Sequence, residues 1–296
     1  MMFGTGELFE YFQCGRCGCL QIAIIPSSMS RYYPASYYSF VEQSQVKKTK
    51  FVQRLKKFRG KILTRSWHVL RPPLRWLLHS PVFYIWLDFP EVGITNRILD
   101  VGSGAGVFPQ WMASDGFLYV TGADPYAGKS TSDEGVNIIK GEIQDLQGEY
   151  DFIMLNHSFE HLPDPLASLS HLATLLGHDG YIMIRTPVAN SYAWETYREN
   201  WVQLDAPRHL HIHTLASLQE LASKAGLQVE HVLYDSDEFQ FLGSERNKRE
   251  CSMQPAGNSV TEAIARSEKK KLKRYAKKLN TQQRGDQACF YLRKIG

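Results

Sequence analysis

The chain has 296 residues, 43% of them hydrophobic and 22% charged, which are the proportions of a globular protein with one sizeable core. No segment reaches the roughly 20 apolar residues of a transmembrane helix, since even the stretch 76–89 is interrupted by His79, Pro81 and Asp88. We expect no signal peptide, because no basic start is followed by a long apolar run. Five cysteines, an odd number, indicate reduced thiols, and the expected location is the cytoplasm.

The net charge of +4 is modest, but the cations are unevenly distributed. Residues 47–75 contain eleven Lys or Arg and no Asp or Glu, and a second basic run follows at 269–278. Such runs are either solvated helix faces or surfaces for an anionic partner such as a phosphoglycan, a nucleic acid or a membrane. We expect residues 47–75 to contact an anionic surface, with the protein peripheral to the membrane, and we do not expect a nucleic-acid partner.

The composition divides the chain into a Cys- and Tyr-rich segment (1–45), a basic helical segment (46–90) and a main domain (91–296). In the first segment, Cys14-Gly-Arg-Cys17 has the spacing of half a zinc ribbon, but a closed structural site needs four ligands. The other cysteines, Cys19, Cys251 and Cys289, lack that spacing. We therefore interpret this segment as a degenerate half ribbon with reduced structural thiols and no bound metal.

In the second segment, Phe51, Leu55 and Phe58 recur at helical spacing. This pattern predicts a helix, which we expect to end at Pro72-Pro73 because proline cannot continue a helix interior.

From residue 97 onward, short apolar runs alternate with helical segments, which predicts a parallel sheet with crossover helices. The expected strands are 97–101, 118–123, 136–139, 150–156, 180–185, 228–233 and 288–294. Helices are expected over 165–176 and, with Thr214 as N-cap, up to residue 224. The polar, basic segment 237–287 predicts a loop followed by a helix over 259–279.

A glycine-rich turn joins the first of these strands to a helix. After Asp100, glycines follow at Gly102, Gly104 and Gly106, where the missing Cβ lets backbone N–H groups approach a ligand at a helix N-terminus. The dinucleotide fingerprint needs glycine where this chain has Val107, which argues against NAD or FAD.

The second strand ends in Gly122-Ala-Asp124, about 20 residues after the glycines. An acidic side chain at this place can accept hydrogen bonds from both ribose hydroxyls of a nucleoside cofactor. The alternative is that Asp124 and Pro125 simply form a turn.

Four motifs taken together resemble class I S-adenosylmethionine (SAM) dependent methyltransferases. They are Asp100-Val-Gly-Ser-Gly-Ala-Gly, Gly122-Ala-Asp, Gly141-Glu-Ile and Asn156-His-Ser-Phe-Glu-His-Leu-Pro-Asp-Pro, within residues 97–236. The resemblance implies a Rossmann-like α/β fold, a seven-stranded, mostly parallel sheet whose last strand is antiparallel, with helices on both faces.

The resemblance also implies the cofactor, SAM, and the residues that bind it. It places the loop of Asp100, Gly102, Gly104 and Gly106 near the methionine end, Asp124 on the ribose, Glu142 and Ile143 near the adenine, and Asn156 and His157 beside the sulfonium. Glu142 departs from the more common Asp. The N-terminal pattern with Tyr32-Tyr-Pro, and the segment 201–214, resemble bacterial methyltransferases that accompany glycan biosynthesis, which implies a small-molecule or glycan-type acceptor.

Three histidines, His209, His211 and His213, lie on one side of the chain if their segment is extended. They could bind a metal, but we expect them to line or support the acceptor side of the pocket. Our candidate for the general base is His209, because the neighbouring Arg208 can hold an anionic group of the acceptor. His161 is the second candidate, and it can equally have a structural role at a helix start.

Methyl transfer from SAM is a direct displacement at a carbon activated by the sulfonium, so the protein mainly aligns the reacting atoms. Two other functions stay open. A protein with this fold can be a scaffold that binds nucleic acid or an anionic membrane, although the intact glycines and Asp124 argue against it. An NAD-dependent enzyme is the third hypothesis.

Overall fold

The computed structural model describes residues 7–33, 50–65, 71–128, 130–133, 135–249 and 266–296. Its strands are β1 (Tyr11–Gln13), β2 (Leu20–Ile22), β3 (Arg97–Val101), β4 (Tyr119–Ala123), β5 (Thr131–Asp133), β6 (Val136–Ile139), β7 (Tyr150–Asn156), β8 (Leu176–Pro187), β9 (His211–Ile212), β10 (Leu227–Tyr234) and β11 (Gln287–Lys294). Its helices are α1 (Lys50–Arg65), α2 (Arg71–Leu77), α3 (Phe83–Trp86), α4 (Val107–Ser114), α5 (Pro165–Leu175), α6 (Tyr192–Tyr197), α7 (Leu215–Lys224), α8 (Phe239–Lys248) and α9 (Arg266–Thr281).

The main sheet has the strand order β10-β11-β8-β7-β3-β4-β6-β5. Strands β3, β4, β6, β7 and β8 run parallel, whereas β11 is antiparallel to both of its neighbours, β8 and β10. The seven expected strands are therefore confirmed, including the antiparallel last strand. The short strand β5, which pairs antiparallel with β6 at the edge of the sheet, is an eighth strand that the sequence did not predict.

The central strands are buried on both faces, as expected for a parallel sheet covered by helices. Along β3, Leu99 packs into the layer on one face and Ile98 into the layer on the other, because side chains alternate along a strand. Helices α5 and α7 cover the first face, where Leu172 and Leu218 are fully buried. Helices α1, α3 and α4 cover the second, with Met112 fully buried. Each such side chain contributes about 1.5–3 kcal/mol.

Helix α1 is fixed to the domain beside the loop that follows α4. A Cβ at Gly60 would lie 2.0 Å from the carbonyl oxygen of Asp115, so the two backbones touch at that point. The buried carboxylate of Asp115 accepts hydrogen bonds from Arg59 Nε at 2.9 Å and from the Tyr84 hydroxyl at 2.8 Å. One face of α1 therefore packs against the domain, and the opposite face points away from it.

Helix α1 is described as far as Arg65 and α2 from Arg71, and residues 66–70, over which the helix is expected to continue to Pro72-Pro73, lie outside the described residues. One helix differs from the prediction. Residues 237–249 contain helix α8 rather than a loop, because Gln240, Ser244 and their neighbours are buried against the 202–204 turn. The helix expected over 259–279 is observed as α9, while residues 250–265, with Cys251, lie outside the described residues.

The N-terminal strands form a second, three-stranded sheet with the order β1-β2-β9. Strand β2 pairs antiparallel with β9, with Leu20 opposite Ile212. At the hairpin turn, Cys14 N–H donates to the Cys19 carbonyl and Gly18 N–H donates to that of Cys14. The described part of the Cys-rich segment is thus joined by backbone hydrogen bonds to the histidine segment. None of the described helices is long and apolar enough to cross a lipid bilayer.

Candidate functional site

The glycine-rich turn lies where β3 ends and α4 begins. Gly102, Gly104 and Gly106 all have positive φ, at 77°, 54° and 77°. A Cβ at Gly102 would lie 2.4 Å from the Cβ of Ser158, and one at Gly106 would lie 2.6 Å from Cδ1 of Ile138. Conformation and crowding therefore both demand glycine here.

Hydrogen bonds tie this loop to the two strands beside β3. The Ser158 hydroxyl, just beyond β7, donates to the Val101 carbonyl at 2.7 Å. On the other side, the Asp124 carboxylate accepts from the backbone N–H of Gly104 at 2.9 Å and of Tyr126 at 2.7 Å. The ends of three parallel strands thus form one rigid cradle at the carboxyl edge of the sheet, where open α/β sheets bind their ligands.

Two buried polar atoms of the cradle have no hydrogen-bond partner, Asp100 Oδ2 and Ser103 Oγ. Burial, together with the nearby charge of Asp124, raises the pKa of Asp100 well above its ordinary value. Unpartnered acceptors beside a second carboxylate suit a ligand that brings positive charge and hydroxyl donors. SAM carries an ammonium, a sulfonium and two ribose hydroxyls, so these residues fit it.

The residues expected near the adenine lie at the end of β6. Glu142 precedes a short 3-10 turn, Ile143–Asp145, and its backbone N–H donates to Asp145 Oδ2 at 3.3 Å. Ile143 is buried in the same core layer as Val101. Since Asp124 N–H donates to the carbonyl of Ile139 at the end of β6, these residues lie beside the cradle.

The residues expected beside the sulfonium are at the end of β7. Asn156 Oδ1 accepts from Arg185 Nη1 at 3.1 Å, and Arg185 Nε donates to Asp235 at 2.7 Å. His157 has a positive φ of 52°, which is rare for a residue with a Cβ. Its Nδ1 donates to the carboxylate of Glu160 at 3.2 Å, because a carboxylate can only accept.

Glu160 is a fully buried carboxylate at the centre of a polar cluster. Besides His157, it accepts from the Thr186 hydroxyl at 3.0 Å, and its Oε1 lies 3.9 Å from Nε2 of His209. Burial by itself raises the pKa of Glu160, but the hydrogen bond from His157 and the nearby imidazoles outweigh it and hold the pKa below its ordinary range. The site therefore contains a buried negative charge.

His161 and His209 lie side by side, with ring centroids 4.9 Å apart. His161 Nδ1 is 2.8 Å from the carbonyl of Arg208, and His209 Nδ1 is 2.7 Å from that of Gln203. Because a carbonyl only accepts, each Nδ1 carries the proton. Burial, then the proximity of His209, lowers the pKa of His161. The structure thus brings together the two histidines that the sequence proposed separately.

The second histidine pair, His211 and His213, behaves differently. His211 Nδ1 lies 3.2 Å from the Leu162 carbonyl, and His213 Nδ1 lies 3.2 Å from the Ser217 hydroxyl. Burial lowers the pKa of His213 to about 3, so its imidazole is neutral. His213 packs on Phe159 rather than beside His209.

The sequence did not single out the buried ion pair of Asp205 and Arg208, which closes the other side of His209. Asp205 accepts from Arg208 Nε at 2.9 Å, and Asp205 Oδ2 lies 3.9 Å from His209 Nε2. Arg208 Nη1 also donates to the carbonyl of Tyr32 at 3.1 Å. Arg208, proposed to hold an anionic acceptor group, is therefore already paired inside the protein.

The N-terminal segment also forms part of the site. The Tyr33 ring lies 6.2 Å from that of Tyr126, which follows Asp124, and 6.2 Å from that of His161. The Tyr11 hydroxyl donates to the carbonyl of His209 at 2.7 Å. No local pattern could have indicated these contacts, since they join residues more than 90 positions apart in the sequence.

The open α/β sheet, with a glycine cradle after β3 and an acidic residue after β4, is the arrangement expected of a class I SAM-dependent methyltransferase. The family model described as "Methyltransferase domain" matches residues 42–232, more than half of the chain. The chain therefore belongs to this family, it is a methyltransferase, and its cofactor is SAM.

Among curated proteins, the chain is similar to ubiquinone biosynthesis O-methyltransferases. That of Aeromonas salmonicida is 28% identical over 169 residues, which are 51% of this chain and 71% of the relative. That of Nitrosospira multiformis is 29% identical over 154 residues, 46% of this chain and 64% of the relative. Among solved structures, a SAM-dependent methyltransferase from Mesorhizobium loti is 16% identical with a TM-score of 0.46, covering 73% of this chain and 99% of that one.

Proposed function

We propose that this enzyme transfers the methyl group of SAM to a hydroxyl oxygen of a small-molecule acceptor. The supporting observation is the cluster of Glu160, His161 and His209 directly beyond the sulfonium-side residues of β7. A hydroxyl must lose its proton during methylation, whereas a neutral amine can attack with its lone pair. Imidazoles next to a buried carboxylate are suited to removing the proton of a hydroxyl.

For the cofactor, we propose the roles that follow from the cradle. Asp124 accepts from the ribose hydroxyls with the lone pairs left by its two backbone donors, and Asp100 faces the methionine end. Glu142 and Ile143 lie toward the adenine. Asn156, fixed by Arg185, and His157 lie toward the sulfonium. The glycines at 102, 104 and 106 keep the backbone close to the cofactor.

On the acceptor side, the cluster assists loss of the hydroxyl proton. The tautomer of His209 is fixed by its Nδ1 hydrogen bond, so its Nε2 lone pair is available. A positive charge at Nε2 is stabilised by Glu160 and Asp205, whose oxygens lie 3.9 Å away. Such assistance typically contributes 10²–10⁴-fold in rate. His161, with the same tautomer, is the second candidate.

For the acceptor class, we propose a phenol-type hydroxyl on a precursor of the quinone kind. The support is that the relatives are named ubiquinone biosynthesis O-methyltransferases. A glycan or nucleotide sugar is the other candidate, supported by the resemblance of the N-terminal pattern. Labelled SAM incubated with polyhydroxybenzoates in one panel and nucleotide sugars in another distinguishes them.

The decisive variant is His209→Ala, with His178→Ala as the matched control, because the side chain of His178 is 95% exposed and lies away from the cluster. We expect kcat to fall 10²–10⁴-fold in the first variant and to be unchanged in the second, with equal SAM affinity in both. Full turnover by His209→Ala would remove this residue from the mechanism, and lost SAM binding would assign it to the cofactor instead.

We also propose that α1 contacts an anionic membrane surface. Phe51, Leu55 and Phe58, spaced to share one face of the helix, are 70%, 50% and 59% exposed. Exposed Arg54 and Lys57 flank them, and α1 contains no acidic residue. An apolar stripe within a cationic helix suits a lipid surface better than a nucleic acid, which offers no apolar layer.

A further inference from the structure

One buried group in the described part of the chain has the donors of a metal site. A carboxylate oxygen of Glu160 and one ring nitrogen each of His161 and His209 all lie within 4.8 Å of one another. Two imidazoles and one carboxylate are a donor set found in catalytic zinc sites, which keep a further position open for water or substrate.

The surroundings of the two imidazoles favour ligation. Histidines that bind metals usually donate their other ring N–H to a carbonyl or carboxylate, which fixes the ring and leaves one lone pair for the ion. His161 and His209 both donate Nδ1–H to backbone carbonyls, those of Arg208 and Gln203. The neutral form of each ring therefore carries its lone pair at Nε2, where it can bind a cation.

The electrostatics of His209 lead to the same conclusion. Its Nε2 lies 3.9 Å from an oxygen of Glu160 and 3.9 Å from one of Asp205, both too far for a hydrogen bond. A neutral imidazole here would present its lone pair to two buried carboxylates. A positive charge between them removes this repulsion, and 3.9 Å is short enough for one ion at about 2.0–2.2 Å to reach both Nε2 and Glu160.

We propose that Glu160, His161 and His209 bind one divalent cation of the zinc type. The proposal rests on the proposed function but replaces its histidine base, because a Nε2 lone pair that binds the cation cannot also take a proton: the cation lowers the pKa of an acceptor hydroxyl placed at its open position, and the proton leaves to solvent. It replaces the expectation, drawn from the sequence, that no metal is bound. Cys14 and Cys17 take no part, because they lie on the separate hairpin.

The test measures zinc binding without any acceptor. The full chain carrying Cys14→Ser and Cys17→Ser, so that the C-x2-C pair cannot hold zinc, is stripped with chelator and titrated with Zn²⁺ by calorimetry. We expect one site in this protein, and affinity reduced at least 100-fold by Glu160→Gln or His161→Ala. His178→Ala serves as the control, and circular dichroism and SAM binding verify that each variant is folded.

Equal zinc affinity in the parent and the two cluster variants would overturn the proposal. So would nitrogen chemical shifts showing His209 protonated at both ring nitrogens in the zinc-saturated protein, because an imidazolium has no lone pair to give. The proposed function is tested separately, since methyl transfer that continues undiminished after zinc removal disproves the metal while leaving the hydroxyl acceptor and the histidine base intact.

Discussion

The carboxylate of Asp124 accepts a 2.9 Å hydrogen bond from the backbone N–H of Gly104, 20 positions earlier in the chain. One side chain at the end of β4 therefore both shapes the loop after β3 and presents a negative charge beside it. Its two backbone donors, Gly104 and Tyr126, leave lone pairs for a ligand, because a carboxylate can accept about four hydrogen bonds.

Replacing Asp124 by Ala should weaken SAM binding by about 2–4 kcal/mol, since two charge-assisted hydrogen bonds to the ribose are lost. This corresponds to roughly 30- to 1000-fold in Kd, measured by calorimetry. Asp179→Ala, at a side chain that is 88% exposed, is the control and should leave Kd unchanged. An unaltered Kd in Asp124→Ala would mean that the ribose is held elsewhere.

Gly102→Ala should abolish SAM binding. The added Cβ meets Ser158 at 2.4 Å, and the φ of 77° is strained for any residue with a Cβ, at a cost of about 1–3 kcal/mol. Gly128→Ala is the matched control, because no atom lies within 4 Å of its added Cβ. Comparison of Kd and Tm in the two variants separates loss of the site from loss of the fold. Wild-type affinity in Gly102→Ala would contradict the role of the cradle.

Charge reversal on α1 should weaken binding to anionic vesicles. The suitable positions are the exposed residues Arg54, Lys57 and Lys61. Arg59 is not suitable, because it pairs with Asp115 and its replacement would disrupt the contact between α1 and the domain. We expect sedimentation with phosphatidylglycerol vesicles at low salt to fall at least tenfold in the triple Glu variant, and binding by wild type to fade as salt rises.

The control for α1 makes the same charge change on α9, at Lys271, Lys273 and Lys277, which are also exposed. If both triple variants lose vesicle binding equally, net charge alone is responsible and α1 is merely solvated. Phe51→Ser with Phe58→Ser tests the apolar stripe without altering charge.

Asp286 should make stability depend on pH. Burial raises its pKa from 3.8 to about 6, although Trp201 Nε1 donates to it at 3.1 Å. A carboxyl whose pKa is raised in the folded protein makes its full contribution to stability below pH 3.8. This contribution is lost as the pH rises through about 6. Relative to Asp286→Asn, wild type should lose about 2 kcal/mol of unfolding free energy between pH 4 and 7. A constant difference across that range would contradict the assignment.

The strands and the glycine turn could be predicted because their signals are local. Apolar runs such as 97–101 and 150–156 read directly as buried strands, and the Gly102–Gly106 spacing demands a turn. Helix α8 escaped prediction because its buried face contains Gln240 and Ser244, so hydrophobic periodicity is missing. In such a helix, side-chain hydrogen bonds replace part of the apolar contact, as in that of Ser244 to the Gln240 carbonyl.

The candidate site was predictable only in part. His161 and His209 could be named from their types and positions, but their proximity depends on the 209–213 segment crossing the end of β7. Glu160 is part of the motif that begins at Asn156, but its burial between Thr186 and His157 results from tertiary packing. The pairing of β2 with β9 joins residues about 190 positions apart, which no local pattern encodes.

Strand β11 has a consequence for the order in which the protein can fold during synthesis. It is the last strand of the chain, yet it lies between β8 and β10, and its residues 288–292 are fully buried. A ribosome that has released the chain only up to residue 280 leaves β8 with an open edge and β10 without its partner β11. The half of the sheet that contains β8, β10 and β11 is therefore completed only after residues 287–294 have been released, and until then its exposed edges must be protected from pairing with other chains.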